Sequence, residues 1–187
     1  MSNINILITL DTDEIIHQQL VEDYGHIKEI DGKYINVVVL GNNNAMSFIN
    51  GADIAKKTYL EIPKANKNDD IQWRVFSLSS KNTSVNSHDV IILSDLKVTN
   101  DTIKAIHSPI DLDISKFNSP IINDKAKTST PPTLSYITTQ ENTWTSHIDV
   151  DTKQIQELVA TFAVCNTKSK QILGYFKWTH KIMIGSK

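Results

Sequence analysis

Apolar side chains at every second position limit what this chain can fold into more than any other feature. Near the start Ile4, Ile6, Ile8 and Leu10 alternate with Asn3, Asn5, Leu7 and Thr9, the period at which a strand buries one face and wets the other. The alternation returns near the end, where Phe176, Trp178, His180, Ile182 and Ile184 share one parity and Lys177, Thr179 and Lys181 hold the other. Between them, 46–49, 53–62, 71–79, 90–98, 133–139, 144–150 and 155–165 read as further strands. Asp31-Gly32 lies between apolar segments as a hairpin turn, and Asn50-Gly51 marks another turn. Inside 71–79 the apolar parity shifts, which predicts a β-bulge. Only 11–23 carries a weak helical spacing. Loops are expected at 41–44, after Pro63 and in the polar stretch before 90. From 100 to 132 the periodicity fades and Pro109, Pro120, Pro131 and Pro132 appear, as in long irregular chain with room for one short strand. The expectation is an all-β protein, one antiparallel β-sandwich domain over 1–187, with about eight strands and one long irregular crossover at 100–132.

Composition narrows the function classes. With 40% hydrophobic and 21% charged residues the chain has enough apolar surface to fold. A net charge of -2 gives no basic face for DNA or RNA, so nucleic acid is not an expected partner. Cys165 is the only cysteine, so no intrachain disulfide can form and a reducing compartment fits best. The first residues lack a basic leader and a cleavage site, and no apolar run nears the roughly 20 residues that span a bilayer. These features point to a cytoplasmic protein with no membrane partner.

Signatures of catalysis are missing. The six glycines are unclustered, whereas phosphate loops need several together so that backbone amides can approach the phosphates. No Gly-x-Ser-x-Gly occurs, and Cys165 sits in an apolar strand where a thiol behaves as a small hydrophobe. His17, His26, His88, His107, His147 and His180 never fall within four residues of one another, so zinc-type spacing is absent. The chain is expected not to be an enzyme and to have no catalytic residue.

The candidate binding residues are acidic and aromatic. Asp11 with Asp13, Asp111 with Asp113 and Asp149 with Asp151 each place two carboxylates two residues apart at a strand end. Calcium needs several oxygen ligands, which such a pair at a loop rim can supply, and Asp11 and Asp13 are the metal candidates. The competing and stronger reading is structural, since Asp in turns bonds nearby backbone amides. Trp73 and Trp178 have apolar neighbours and read as core. Trp144 follows Gln140, Glu141, Asn142 and Thr143, a setting in which an exposed ring could stack on a sugar while polar neighbours take its hydroxyls. The expected ligand set is therefore Asp11, Asp13, Trp144, Asp149 and Asp151 at one rim of the sandwich, with calcium as the one cofactor considered.

Four segments taken in order resemble the PixA/AidA family of bacterial inclusion-body proteins. They are Ile6-Leu7-Ile8-Thr9-Leu10-Asp11-Thr12-Asp13, Asp70-Ile71-Gln72-Trp73-Arg74 with Ser77-Leu78-Ser79, the strand 159–165, and Gly174-Tyr175-Phe176-Lys177-Trp178. The family continues its last motif with Trp-Asp-Pro where this chain has Trp178-Thr179-His180, so a role of that family Asp does not carry over. The name-giving member is methionine-rich and this chain has three Met, so a methionine store does not carry over either. The resemblance implies a β-sandwich, no catalytic residue, and self-association into cytoplasmic, sometimes crystalline, inclusions. The alternative is a carbohydrate-binding lectin, calcium-dependent or not, acting on host glycans.

Overall fold

The structure, a computed structural model, describes residues 3–18, 22, 24–41, 46–56, 59–62, 65–78, 89–99, 104–122 and 134–184. Most of the loop expected at 41–44 lies outside these residues, as do Pro63, the polar stretch 79–88, Pro131 and Pro132. In chain order the elements are β1 (Asn3–Asp11), α1 (Thr12–His17), β2 (Lys28–Glu29), β3 (Ile35–Leu40), β4 (Met46–Ile49), α2 (Gly51–Ile54) and β5 (Leu60–Glu61). They continue with β6 (Asp70–Leu78), β7 (Asp89–Val98), β8 (Asp111–Ile122), β9 (Leu134–His147), β10 (Gln154–Asn166) and β11 (Gln171–Ile184). The chain divides into two compact units, Met1–Asp111 with Trp144–Lys187, and Leu112–Thr143.

In the first unit two sheets enclose one core. One runs in the order β4-β3-β1-β6-β9, and the other in the order β2-β11-β10-β7 with β5 also on β11. The all-β expectation holds, but the sheets are mixed and not purely antiparallel. β1 pairs with β6 in parallel, and β2 and β5 each pair with β11 in parallel. Parallel neighbours need a long crossover, and between β1 and β6 the chain visits the second sheet at β2, the first at β3 and β4, and the second again at β5. Alternation fixes which face of a strand is buried, and it carries no information on strand direction.

The alternating residues do what their period requires. Ile4, Ile6, Ile8 and Leu10 of β1 are buried beside Ile71 and Trp73 of β6, and Phe162, Phe176 and Trp178 close the core from the second sheet. Phe162 and Phe176 stack at 5.0 Å between ring centroids. Each such side chain contributes about 1.5 to 3 kcal/mol by leaving water, an upper bound because unfolded chains already bury some surface.

Several local expectations are replaced by others with clear causes. Asp31-Gly32 is no hairpin: Asp31 accepts from the Lys33 amide and opens a 3-10 turn, Gly32–Tyr34, that carries the chain from β2 in one sheet to β3 in the other. Asn50 likewise caps α2 by accepting from the Asp53 amide, so the strand expected at 53–62 shrinks to β5. Gly51 is required there, since a Cβ would lie 2.1 Å from the Lys33 carbonyl oxygen. β6 shows no bulge and stays in register with β1 throughout, because Phe76 and Leu78 are exposed apolar residues on its outer face. The register shifts fall instead in β10, at Thr161/Phe162 and at Val164/Cys165.

The second unit is built of β8 and the first part of β9. Within the stretch expected to be an irregular crossover, β8 is a strand of 12 residues. Pro120 does not interrupt it because β8 ends the order of its sheet, and an edge strand tolerates a residue without an N–H.

Candidate functional site

The two best-placed acidic pairs lie at opposite ends of the first sheet. Asp11 ends β1 in register with Leu78, whereas Asn3, at the other end of β1, is in register with Asp70, which faces His147 of β9. β1 therefore separates Asp11 from the Asp149 end by eight residue steps, about 26 Å at the rise of a strand. The rim of four carboxylates does not form.

At the first end Asp11 serves its own helix. Its carboxylate accepts from the Glu14 amide at 3.0 Å as the N-cap of α1, which satisfies an amide the helix cannot pair internally. Asp13 lies in the first turn, where negative charge suits the helix dipole. Helix α1 begins where it does because Asp11 caps it and Ile15 buries beneath it.

At the opposite end the structure assembles a cluster that spacing alone conceals. Two histidines distant in sequence share the Asp149 carboxylate: His107 Nδ1 lies 3.2 Å from Oδ2, and His147 Nε2 lies 3.2 Å from Oδ1. Their rings stack at 4.2 Å with 19° between planes. One nitrogen from each ring and one carboxylate oxygen lie within 4.8 Å of one another.

The backbone holds these positions. The His107 amide donates to the His147 carbonyl at 2.9 Å, and the Asp149 amide donates to the Ala105 carbonyl at 3.0 Å, on either side of the Ile106–Ile148 bridge. Ser146 Oγ donates to the His107 carbonyl at 2.7 Å. Beneath them the fully buried Gln156 accepts the Ala105 amide through Oε1. Ile106 and Ile148 anchor the bridge in the core. The side chains above stay half exposed, so water reaches the cluster.

The remaining expected site residues are placed otherwise. Trp144 is only 8% exposed, and its indole N–H donates to the Leu93 carbonyl at 3.2 Å. Its ring faces the core in register with Trp73 and is not a surface on which a sugar could stack. The polar run before it points the wrong way because β9 pairs with β6 over Trp144 to His147, and Gln140 to Thr143 precede that pairing. Asp151 is exposed in a bend, and Asp111 and Asp113 are exposed at the start of β8. Burial pushes the Cys165 thiol up, which keeps it protonated and unreactive at neutral pH. The void between the sheets is lined by Ile6, Ile8, Trp73, Trp178 and other apolar side chains, with no polar group to orient a ligand. Sequence reasoning missed His107 and His147 by asking for histidines close to one another. The usable signal was His147-x-Asp149 at the end of a strand.

Comparison with known proteins places the whole chain. A family model described as PixA, inclusion body protein, matches residues 2–184. A search of curated proteins finds no match. Among solved structures, the crystal structure of an inclusion body protein (PixA) from Burkholderia cenocepacia aligns with a TM-score of 0.61 over 98% of this chain and 96% of that chain. Identity between the two is 14%, so that likeness is one of fold. No helix among the described residues is long and apolar enough to cross a membrane. The motif order read in the sequence and the family match agree, and the chain belongs to the PixA family of inclusion body proteins.

Proposed function

We propose that this chain is a non-catalytic protein that assembles with copies of itself into cytoplasmic inclusions. The observation that carries the reading is an apolar outer face at an open sheet edge. β4 ends the order of the first sheet and, among the described residues, pairs with β3 alone. On the outward side Leu7, Val38 and Phe48 fall in one register row across β1, β3 and β4, with Leu40 opposite Met46 in the next. Met46 is 68% exposed, Phe48 62% and Leu40 42%.

An edge strand offers unpaired N–H and C=O groups to another strand, and soluble proteins usually guard such edges with charge. This edge carries Met and Phe instead. The net charge of -2 leaves little repulsion between copies. Sedimentation velocity over a range of concentrations tests the reading. Mass should rise with concentration in the parent protein and stay monomeric in a Met46→Lys, Phe48→Lys double variant of unchanged melting temperature. A parent protein that stays strictly monomeric at high concentration, in low and in moderate salt, overturns it.

A further inference from the structure

We infer that His107, His147 and Asp149 form a binding site for a divalent transition metal of the zinc and nickel class. This site is separate from the apolar edge, and the inference does not depend on self-association.

The donor set selects the metal. Two imidazole nitrogens and one carboxylate suit zinc, nickel or copper, whereas calcium and magnesium prefer oxygen alone. The spacing is also right. Tetrahedral bonds of about 2.0 to 2.2 Å from zinc to nitrogen or oxygen set neighbouring ligands about 3.3 to 3.6 Å apart, and each His nitrogen already stands 3.2 Å from an Asp149 oxygen. A bound ion would take the lone pairs of both nitrogens and of the carboxylate, and the three donor atoms already lie within 4.8 Å of one another.

Preorganisation strengthens the case. The ladder of amide bonds around Ile106–Ile148 and the Ser146 hydroxyl fix the backbone of all three ligands, so little ordering remains to oppose binding. Three protein ligands leave one or more positions for water, which the half-exposed cluster can supply. Such an open site resembles the coordination of catalytic rather than structural zinc, although no second group of the described cluster is placed to act as a base, and no reaction is assigned to it.

Zinc chloride, nickel chloride and calcium chloride titrated calorimetrically into the full chain give the test. The expected result is one equivalent of zinc or nickel bound saturably and no competition from calcium. A His107→Ala, His147→Ala double variant should lose that binding while keeping the metal-free melting temperature, and Asp149→Asn should weaken it by about tenfold or more. Because a variant could unfold, the parent protein supplies a second readout. On adding zinc, the imidazole C–H resonances of His107 and His147 should shift before those of the other histidines. Zinc binding that survives the double variant, calcium binding at the same site, resonance shifts confined to other histidines, or no saturable heat each overturns the assignment.

Discussion

The two rims of the first unit carry the same sequence pattern and use it differently. Asp11-Thr12-Asp13 and Asp149-Val150-Asp151 each follow a strand and present two carboxylates two residues apart. At one rim the chain turns at once into α1, so Asp11 finds its partner three residues on, in the Glu14 amide. At the other rim no helix follows, and Asp149 finds its partners in two histidines, His107 standing 42 positions earlier in the chain. The carboxylate spacing is the same, and the fate of each leading Asp is set by which donor reaches it first. A local amide engages Asp11 through one oxygen, and no second ligating side chain among the described residues is brought to it. Asp149 shares its oxygens with side chains that a metal can also engage.

A rigid scaffold holds the two rims apart, and the largest predicted effect tests that scaffold. Trp73 on β6 is buried against β1, midway between Asp11 and Asp149. Trp73→Ala should cost about 3 to 5 kcal/mol in denaturant unfolding, as expected when a large aromatic leaves a packed core. A loss below about 1 kcal/mol would show that the core collapses around the change and that the two ends are not rigidly linked.

The second test sets a partly buried histidine against the half-exposed pair at the rim. His180 stacks on Trp178 at 4.9 Å between centroids, and its Nε2 is buried without a hydrogen-bond partner among the described residues. Burial lowers its pKa to about 4 from the ordinary 6.5. Between those values the unfolded chain binds a proton that the folded chain does not, so stability falls as pH drops from 6.5 to 4 and the loss is complete below 4. Two and a half units correspond to at most about 3 kcal/mol, and the partial exposure of His180 reduces this further. His180→Phe should flatten the fall in melting temperature over that window relative to the parent. An unchanged profile would remove His180 as the source.

Much of the fold was legible in the sequence, and the reason lies in particular strands. β1 and β11 have one wet side, so their alternation shows, and the burial of Trp178 follows from it, as that of Trp73 follows from its shared parity with Ile71 on β6. What stayed hidden depends on contacts between distant segments. The parallel pairing of β1 with β6 depends on the route taken between them. The rim cluster depends on the Ile106–Ile148 bridge, which no local pattern announces. The burial of Trp144 was hidden because it depends on the pairing of β9 with β6, which covers Trp144 to His147 and none of the polar residues before them.

A third test measures the capping rim directly. Asp11→Ala removes the acceptor for the Glu14 amide and should cost about 1 kcal/mol, in the range for lost N-caps, while Asp11→Asn retains a capping oxygen and should cost less. The unfolding midpoint in urea reads both. Neither variant should alter zinc binding, since the two rims are a full strand apart. If Asp11→Asn weakened zinc binding as much as Asp149→Asn, the functional difference between the rims would disappear.

The smallest effects separate the two carboxylates of the histidine rim. Without metal, Asp149 makes contacts of 3.2 Å to two half-exposed rings. Exposed ion pairs contribute about 0 to 1 kcal/mol, and salt weakens them. Asp149→Asn should therefore lower stability by no more than about 1 kcal/mol, and less at high salt. Asp151 stands exposed in a bend, so Asp151→Asn should change stability by less than about 0.5 kcal/mol, as at most surface positions. Zinc separates them further, because a ligand that binds only the folded chain raises its stability by mass action. Adding zinc should raise the melting temperature of the parent and of the Asp151 variant equally, and that of the Asp149 variant less. Equal rises in all three would mean that the carboxylate is a bystander and that the histidines alone hold the ion. A rise missing only from the Asp151 variant would move the third ligand two residues along the chain.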